Sequence, residues 1–418
     1  MSPSPVSSPQ HVIAICGGAV SGSEAAALAA REGAIVVLLE QNLRPYGKIE
    51  DGLPRWHAKL RSKEYAKIDE NLATEGVLYV PGTRLGEHLS FADAAGNTGF
   101  SAVILAHGAW KDRTLPVEGI DAFVGKGLSY QNSFVYWFNH YEENDYDGPT
   151  FPIHDRAAVI GGGLASIDVC KILNLELYKR ALRERGIEVD LEQLEVKGIP
   201  RTLETHGIEP GELGIHGCTL YYRRGKEDMP LASMDNPTPE QLIKLRKSRV
   251  KIMDKVSSKY LVHLEEFATP VAFTHDNESL NGLTFQRTEV VDGRVRMTPE
   301  TFEVATSQVI SSIGSIPMPI EGVPMRGELY EWEDWSEGKL IDGVYGLGNV
   351  LTGKGNIKAS RKNSREITPR VIEKALARPA VPAEVVNKIL DTVRRRWEAV
   401  GYSGDYTSWI EAHRTEHQ

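Results

Sequence analysis

The chain has 418 residues, 41% hydrophobic and 25% charged, which is the composition of an ordinary globular protein and too long for one compact core. Its formal net charge of −9 argues against a nucleic-acid partner, because a protein that wraps nucleic acid carries a basic excess. No apolar run reaches the roughly 18 residues a membrane helix needs, so no membrane association is expected. The three cysteines, Cys16, Cys170 and Cys218, are too far apart for a CxxC pair. No local redox disulfide, CxxC-based iron–sulfur centre or other metal site is therefore expected. Residues 1–10 are Ser/Pro-rich, with neither an apolar core nor an Arg-rich amphipathic pattern. They read as a disordered tail and not as a targeting segment, so the protein is expected to be cytoplasmic.

The first informative stretch follows. Val12 to Ile15 is an apolar run of strand length, then come Gly17, Gly18, Ala19, Val20, Ser21 and Gly22. Ser23 to Glu32 predicts an Ala-rich helix ended by Gly33, and Ile35 to Leu39 predicts a second strand with Glu40 at its tip. A glycine turn between a strand and a helix binds a dinucleotide for stated reasons. Gly17 permits the tight turn, and Gly22 lets the helix pack close to the sheet. The helix N-terminus, with Ser21 in its first turn, presents free N–H groups to a pyrophosphate. Glu40 is placed to accept hydrogen bonds from ribose hydroxyls. Ala19 stands where the fingerprint has its middle glycine. Ala102 to Leu105 is a further strand, leading into Ala106-His107-Gly108-Ala109.

A second unit of the same kind begins at Ala157, with Ala158 opening its strand. Val159 and Ile160 continue a strand, and Gly161, Gly162, Gly163, Leu164, Ala165 and Ser166 form the turn. A helix is predicted over Ile167 to Arg185. The next strand, Cys218 to Tyr222, ends in Arg223 and Arg224 and carries no acid at its tip. Arginine there binds the 2′-phosphate of NADP, which a carboxylate repels. The long spacing between turn and arginines implies a helical insertion at about 174–216. Val309 to Ser312 is another strand. Gly343 to Val350 is a strand ending in a Gly-rich turn at Gly348-Asn349, and a helix runs from Ile357 to Thr368, with Gly355 just before it. On that helix Lys358, Arg361, Lys362 and Arg365 fall at i, i+3, i+4 and i+7, predicting a basic face able to dock an acidic partner. Thr368 is expected to cap a following helix with Pro369 in its first turn. The fold class is therefore α/β, with two Rossmann-like dinucleotide-binding domains.

Taken together, these segments resemble the adrenodoxin reductase and glutamate synthase small-subunit group of FAD-dependent, NADPH-linked oxidoreductases. The resemblance runs over about residues 11–368 and adds Arg44-Pro45-Tyr46-Gly47-Lys48, Gly52-Leu53-Pro54 with Leu60, Gly161 to Asp168, and Tyr222-Arg223-Arg224 followed by Met229-Pro230. The departures are Ala19 for glycine, His107 for threonine and Asn349 for aspartate. The resemblance implies a discontinuous FAD domain, 11–110 and 315–418, with an NADPH domain, 111–314, inserted in it. Gly17, Ala19, Ser21, Gly22, Glu40, Gly47, Gly108, Gly348, Asn349, Gly355 and Ile357 are the expected FAD contacts. For NADPH they are Gly161, Gly163, Leu164, Ala165, Arg223 and Arg224. His57 is a candidate flavin-proximal histidine, against a packing or surface role. In such enzymes the nicotinamide gives hydride to the flavin, and the implied acceptor is a separate ferredoxin-like iron–sulfur protein. Three alternatives stay open: an electron-input subunit of a larger complex, a monooxygenase (for which no F-x-G-x-x-x-H motif is present), and a degenerate nucleotide-binding subunit.

Overall fold

The computed structural model describes residues 3–276 and 278–414. Its contacts divide the chain into two units, Met1–Lys111 with Ser315–Gln418, and Asp112–Gly314.

In the first unit a six-stranded sheet has the order Lys339–Ile341, Val344–Gly346, Ala102–Leu105, Val12–Cys16, Ile35–Leu39, Val77–Val80. All neighbours run parallel except the first pair. The central strands VIAIC and AVIL are buried along their whole length, as a parallel sheet covered on both faces requires. Ala14 sits opposite Val37 on one side and Val103 on the other. The Ala-rich helix Val20–Arg31 follows the central strand and packs against the helix Ile357–Leu376. Two further helices, Ala383–Val400 and Tyr406–Ala412, close this unit with aromatic side chains. Trp397 Nε1 donates to Tyr79 O at 2.8 Å and Trp409 Nε1 to Leu43 O at 2.7 Å.

Two expectations are corrected here. The helix predicted to stop at Thr368 continues to Leu376, with Pro369 inside it. The buried stripe of Ser364, Ile367, Val371, Ile372 and Ala375 runs straight through. That packing offsets the roughly 3 kcal/mol an internal proline costs. Residues 1–10 are not simply a free tail: Met1 and Ser2 lie outside the described residues, but Val6 exchanges two hydrogen bonds with Asn387, and Gln10 pairs with Val381.

The second unit holds a five-stranded parallel sheet in the order Leu128–Tyr130, Val309–Ser312, Ala158–Gly161, Thr219–Tyr222, His263–Glu266. A three-stranded antiparallel sheet, Ala268–His275, Leu280–Val291 and Arg294–Ala305, packs on it, with Phe285 stacked on Tyr221 at 4.1 Å. The insertion starts later than expected, because the helix Leu164–Glu184 runs unbroken past position 174. The inserted segment contains the short helices Leu191–Lys197 and Ile199–Thr205. It is tied down by a buried lysine: Lys171 Nζ reaches Glu195 Oε1 at 2.6 Å, and Tyr260 donates to the same oxygen at 2.6 Å. Asn174, fully buried, donates to Tyr260 O and Leu261 O and accepts from Cys218 N–H. One amide thereby joins the helix, the strand Thr219–Tyr222 and the end of the helix Pro239–Tyr260.

Candidate dinucleotide sites

The Gly17 turn closes on itself so tightly that its glycines are sterically required. A Cβ on Gly22 would lie 1.8 Å from Gly17 O, and one on Gly17, whose φ is +102°, would lie 2.7 Å from Ala106 O. Helix N–H groups can therefore come close to a phosphate at this turn. Ala19 is the N-cap of the helix, with no side-chain capping bond. Glu40, 4% exposed, accepts from Gly18 N–H at 2.7 Å and from Asn42 N–H at 3.0 Å. Burial pushes its carboxyl up to about 7, against the pull of those backbone N–H groups.

The other expected residues of this unit converge on the turn from two directions. Gly47, at φ +52°, lies next to Ala19, whose Cβ would be 3.3 Å from a Cβ placed on the glycine. Gly108 takes φ +72° in the loop after Ala102–Leu105. From the C-terminal part, a Cβ on Gly348 would lie 2.1 Å from Ser21 Oγ. Gly348 N–H donates to Asn363 Oδ1 at 2.6 Å, and Ser364 Oγ donates to Ser21 O at 3.0 Å. Asn349 follows, with its Oδ1 buried and without a hydrogen-bond partner. Gly355 is exposed beside the Asn349 amide, and Ile357 begins the helix capped by Asn356. His57 lies half-buried at the end of the short 3-10 helix Arg55–His57. Ser364 falls on the helical spacing of a buried stripe with Ile357, Ser360 and Ile367, but its contact with Ser21, and Asn363, were not foreseen. Their signal is the small polar run Ser360, Asn363, Ser364 at helical spacing on the face next to Ser21.

In the second unit Gly161 is held against Ser312 O, 2.5 Å from where its Cβ would be. The Tyr222 ring covers Gly162. Gly163, by contrast, opens the helix Leu164–Glu184, and a Cβ there would meet nothing within 4 Å. Leu164 is 54% exposed and Ala165 half-buried at the same helix opening. The two arginines part company. Arg224 donates to Gly293 O at 3.0 Å, on the antiparallel hairpin. Arg223 is exposed and has no side-chain partner among the described residues.

The expected basic face does not survive as four free cations. Arg361 pairs with Glu64 and with Glu24 (3.2 Å), and Arg365 pairs with Glu24 at 3.0 Å. Lys362 lies 3.8 Å from Glu366. Lys358 remains exposed without an ion pair among the described residues. The sequence spacing placed these side chains on one face, but the acids that meet Arg361 and Arg365 come from helices elsewhere in the chain, while Glu366 lies on the same helix. All three cysteines are buried and free, and burial pushes the Cys16 thiol up to about 12. Among the described residues no cluster of His, Cys, Asp and Glu could hold a metal, and no helix is long and apolar enough to cross a membrane.

Both turns pass a test of fit for a dinucleotide. The glycine cradle and the orphaned Asn349 Oδ1 suit FAD in the first unit, and the open helix start with Arg223 suits NADPH in the second.

No family model matches the chain. It is 24% identical over 354 residues to the mitochondrial NADPH:adrenodoxin oxidoreductase of Arabidopsis thaliana, covering 76% of this chain and 70% of the relative. A probable ferredoxin/ferredoxin–NADP reductase of Mycobacterium tuberculosis is 28% identical over 171 residues, 39% of this chain and 28% of that protein. Among solved structures, Mycobacterium tuberculosis FprA in complex with NADPH superposes with a TM-score of 0.70 at 20% identity, covering 93% of this chain and 91% of FprA. The thioredoxin reductase of T. acidophilum superposes more loosely, with a TM-score of 0.51 at 16% identity over 87% of this chain and 98% of that one. The fold is thus that of FprA, and the resemblance to the adrenodoxin reductase group that the motifs carry extends, as sequence similarity, over 76% of the chain.

Proposed function

We propose that the chain is a flavoprotein oxidoreductase that holds FAD at the Gly17 turn and NADPH at the Gly161 turn, and passes electrons to a separate ferredoxin-type iron–sulfur protein. The carrying observation is the contrast between the two strand tips. The first ends in a buried carboxylate, Glu40, that accepts hydroxyl donors and repels a 2′-phosphate. The second ends in an exposed Arg223 with no acid beside it in sequence, which attracts one. One chain therefore discriminates two dinucleotides by the charge at equivalent positions. FAD, when bound, supplies the conversion between two-electron and one-electron chemistry. The protein's own task is to place phosphates on the two helix starts and to orient the ribose at Glu40.

Support for the acceptor class comes from the relatives, whose names specify adrenodoxin and ferredoxin as electron partners. Cys170 and Cys218 lie side by side, but burial pushes the Cys170 thiol well up, away from the thiolate that a dithiol relay needs. Lys358 is the member of the expected docking face that stays available to an acidic acceptor. The test is direct. Purified protein should carry FAD and show oxidised-flavin absorbance. Anaerobic NADPH should bleach it much faster than NADH, and a reduced sample should then reduce a ferredoxin. Protein that cannot be reconstituted with FAD would refute the reading.

A further inference from the structure

One half-buried histidine lies beside the first turn, its Nδ1 atom fully buried. His107 follows the strand Ala102–Leu105, and its Cα lies 2.7 Å from where a Cβ on Gly17 would be. Its carbonyl accepts from Trp110 Nε1 at 2.9 Å, and Trp110 in turn lies against Gly47, the glycine next to Ala19. The loop carrying His107 is therefore a wall of the dinucleotide turn.

The tautomer of the ring follows from its neighbour. Tyr330 OH donates its one proton to Met318 O at 2.6 Å. At 3.1 Å from His107 Nε2 the phenol oxygen can then only accept, so Nε2 carries the proton. Burial, with a smaller contribution from the charge of Arg84, holds the imidazole neutral by lowering its pKa to about 4. Nδ1 is left as a bare acceptor, buried and without a hydrogen-bond partner. Buried acceptors are normally satisfied.

We propose that His107 is a cofactor-binding residue of this chain, accepting through Nδ1 a hydrogen bond from a sugar-alcohol hydroxyl of the dinucleotide held at the Gly17 turn, with Tyr330 fixing its tautomer. The inference rests on the reading that this turn binds FAD. The chemistry selects the group: an unprotonated nitrogen repels a phosphate oxygen, which is also acceptor-only, and takes an O–H donor. Asn349 Oδ1 is a second neutral buried acceptor left open, at the Gly348 turn that abuts Ser21. Two such acceptors match the hydroxyl-bearing ribityl chain better than the pyrophosphate. The threonine that the family resemblance expects at this position can both donate and accept through its one hydroxyl; His107 Nδ1 in this tautomer can only accept.

The experiment uses the 15N-histidine-labelled protein with FAD bound and after FAD removal, with His107→Gln assigning the resonance among the 12 histidines. His107 should show the Nε2–H tautomer in both, and its Nδ1 signal should move toward the hydrogen-bonded position only with FAD. In parallel, FAD titration of the His107→Phe variant should show affinity lowered roughly three- to tenfold. His107→Gln, which restores an acceptor, should recover part of that loss. Tyr330→Phe should mix the tautomers and weaken FAD by less. If Nδ1 does not respond to FAD, or folded His107→Phe binds FAD as wild type does, the proposal is overturned while FAD binding stands. If the wild-type protein takes no FAD at all, the functional reading falls and this proposal falls with it. Should His107→Phe not fold, the nitrogen shift decides alone.

Discussion

Replacing Glu40 with glutamine tests the first site through both stability and binding. In the fold the carboxyl is held at about 7 instead of 4.5, by burial that two backbone N–H groups only partly offset. Ionising it there costs roughly 3 kcal/mol, and with 4% exposure solvent screening gives little relief. The folded pKa is the higher one, so folded protein holds the proton more tightly than unfolded chain. This group's contribution to stability is complete below about pH 4.5 and is lost as pH rises through 7. FAD-depleted wild type should therefore lose roughly 3 kcal/mol more than Glu40→Gln between about pH 5 and pH 8, read by urea unfolding. FAD reverses the sign. Ribose hydroxyls donate to the ionised form, so wild-type FAD affinity should rise across this window. Glu40→Gln should bind roughly ten- to a hundredfold more weakly at about pH 8, the loss of a charge-assisted hydrogen bond. At about pH 5 the gap should narrow. An equal pH dependence in variant and wild type, in both measurements, would refute the assignment of Glu40.

The remaining predictions separate residues that the sequence treats alike. Arg223→Ala should weaken NADPH roughly tenfold or more and leave NADH unchanged, measured by stopped-flow flavin reduction; Arg224→Ala should mainly lower the Tm, because its guanidinium holds Gly293 O. Arg361→Ala should destabilise by about 3–5 kcal/mol in denaturant titration, since it strands Glu64, whose side chain is only 4% exposed, and leaves Glu24 to Arg365 alone. Lys358→Glu should leave the Tm alone and slow acceptor reduction, the more so at low salt. Replacing Cys16, Cys170 and Cys218 with alanine should cost stability without stopping electron flow to the acceptor.

Much of the fold was readable because its central units are local. A strand, a glycine turn and a helix lie within about twenty residues, and each glycine has a steric task visible from spacing alone. The strands Val12–Cys16 and Ala102–Leu105 are uninterrupted apolar runs because both faces are covered. The antiparallel sheet was missed for the opposite reason. Arg294–Ala305, RVRMTPETFEVA, is exposed over most of its length and carries little apolar alternation. Its pairing with Leu280–Val291 holds it as a strand. Val77–Val80 was missed because four residues give no period to read; it is fixed by Leu39 and its neighbours in the sheet.

The site divides along the same line. The positions of Glu40 and Arg223 at strand tips were legible because each directly follows a strand that the local sequence marks. The basic helix was misread because i, i+4 arithmetic fixes a face but not what lies opposite it. Glu24 and Glu64 are distant in sequence from Arg361, and nothing local to the helix announces them. What distinguished Arg361 in advance was its neighbours. Ser360 and Ser364 flank it, and both pack on Ser21, so that edge of the helix had to face the Val20–Arg31 helix and find partners there. A cation one residue away from a buried small-polar contact is more an interior counter-ion than a docking group. Lys358, one turn earlier and beyond the reach of those contacts, keeps its charge for solvent or an acceptor.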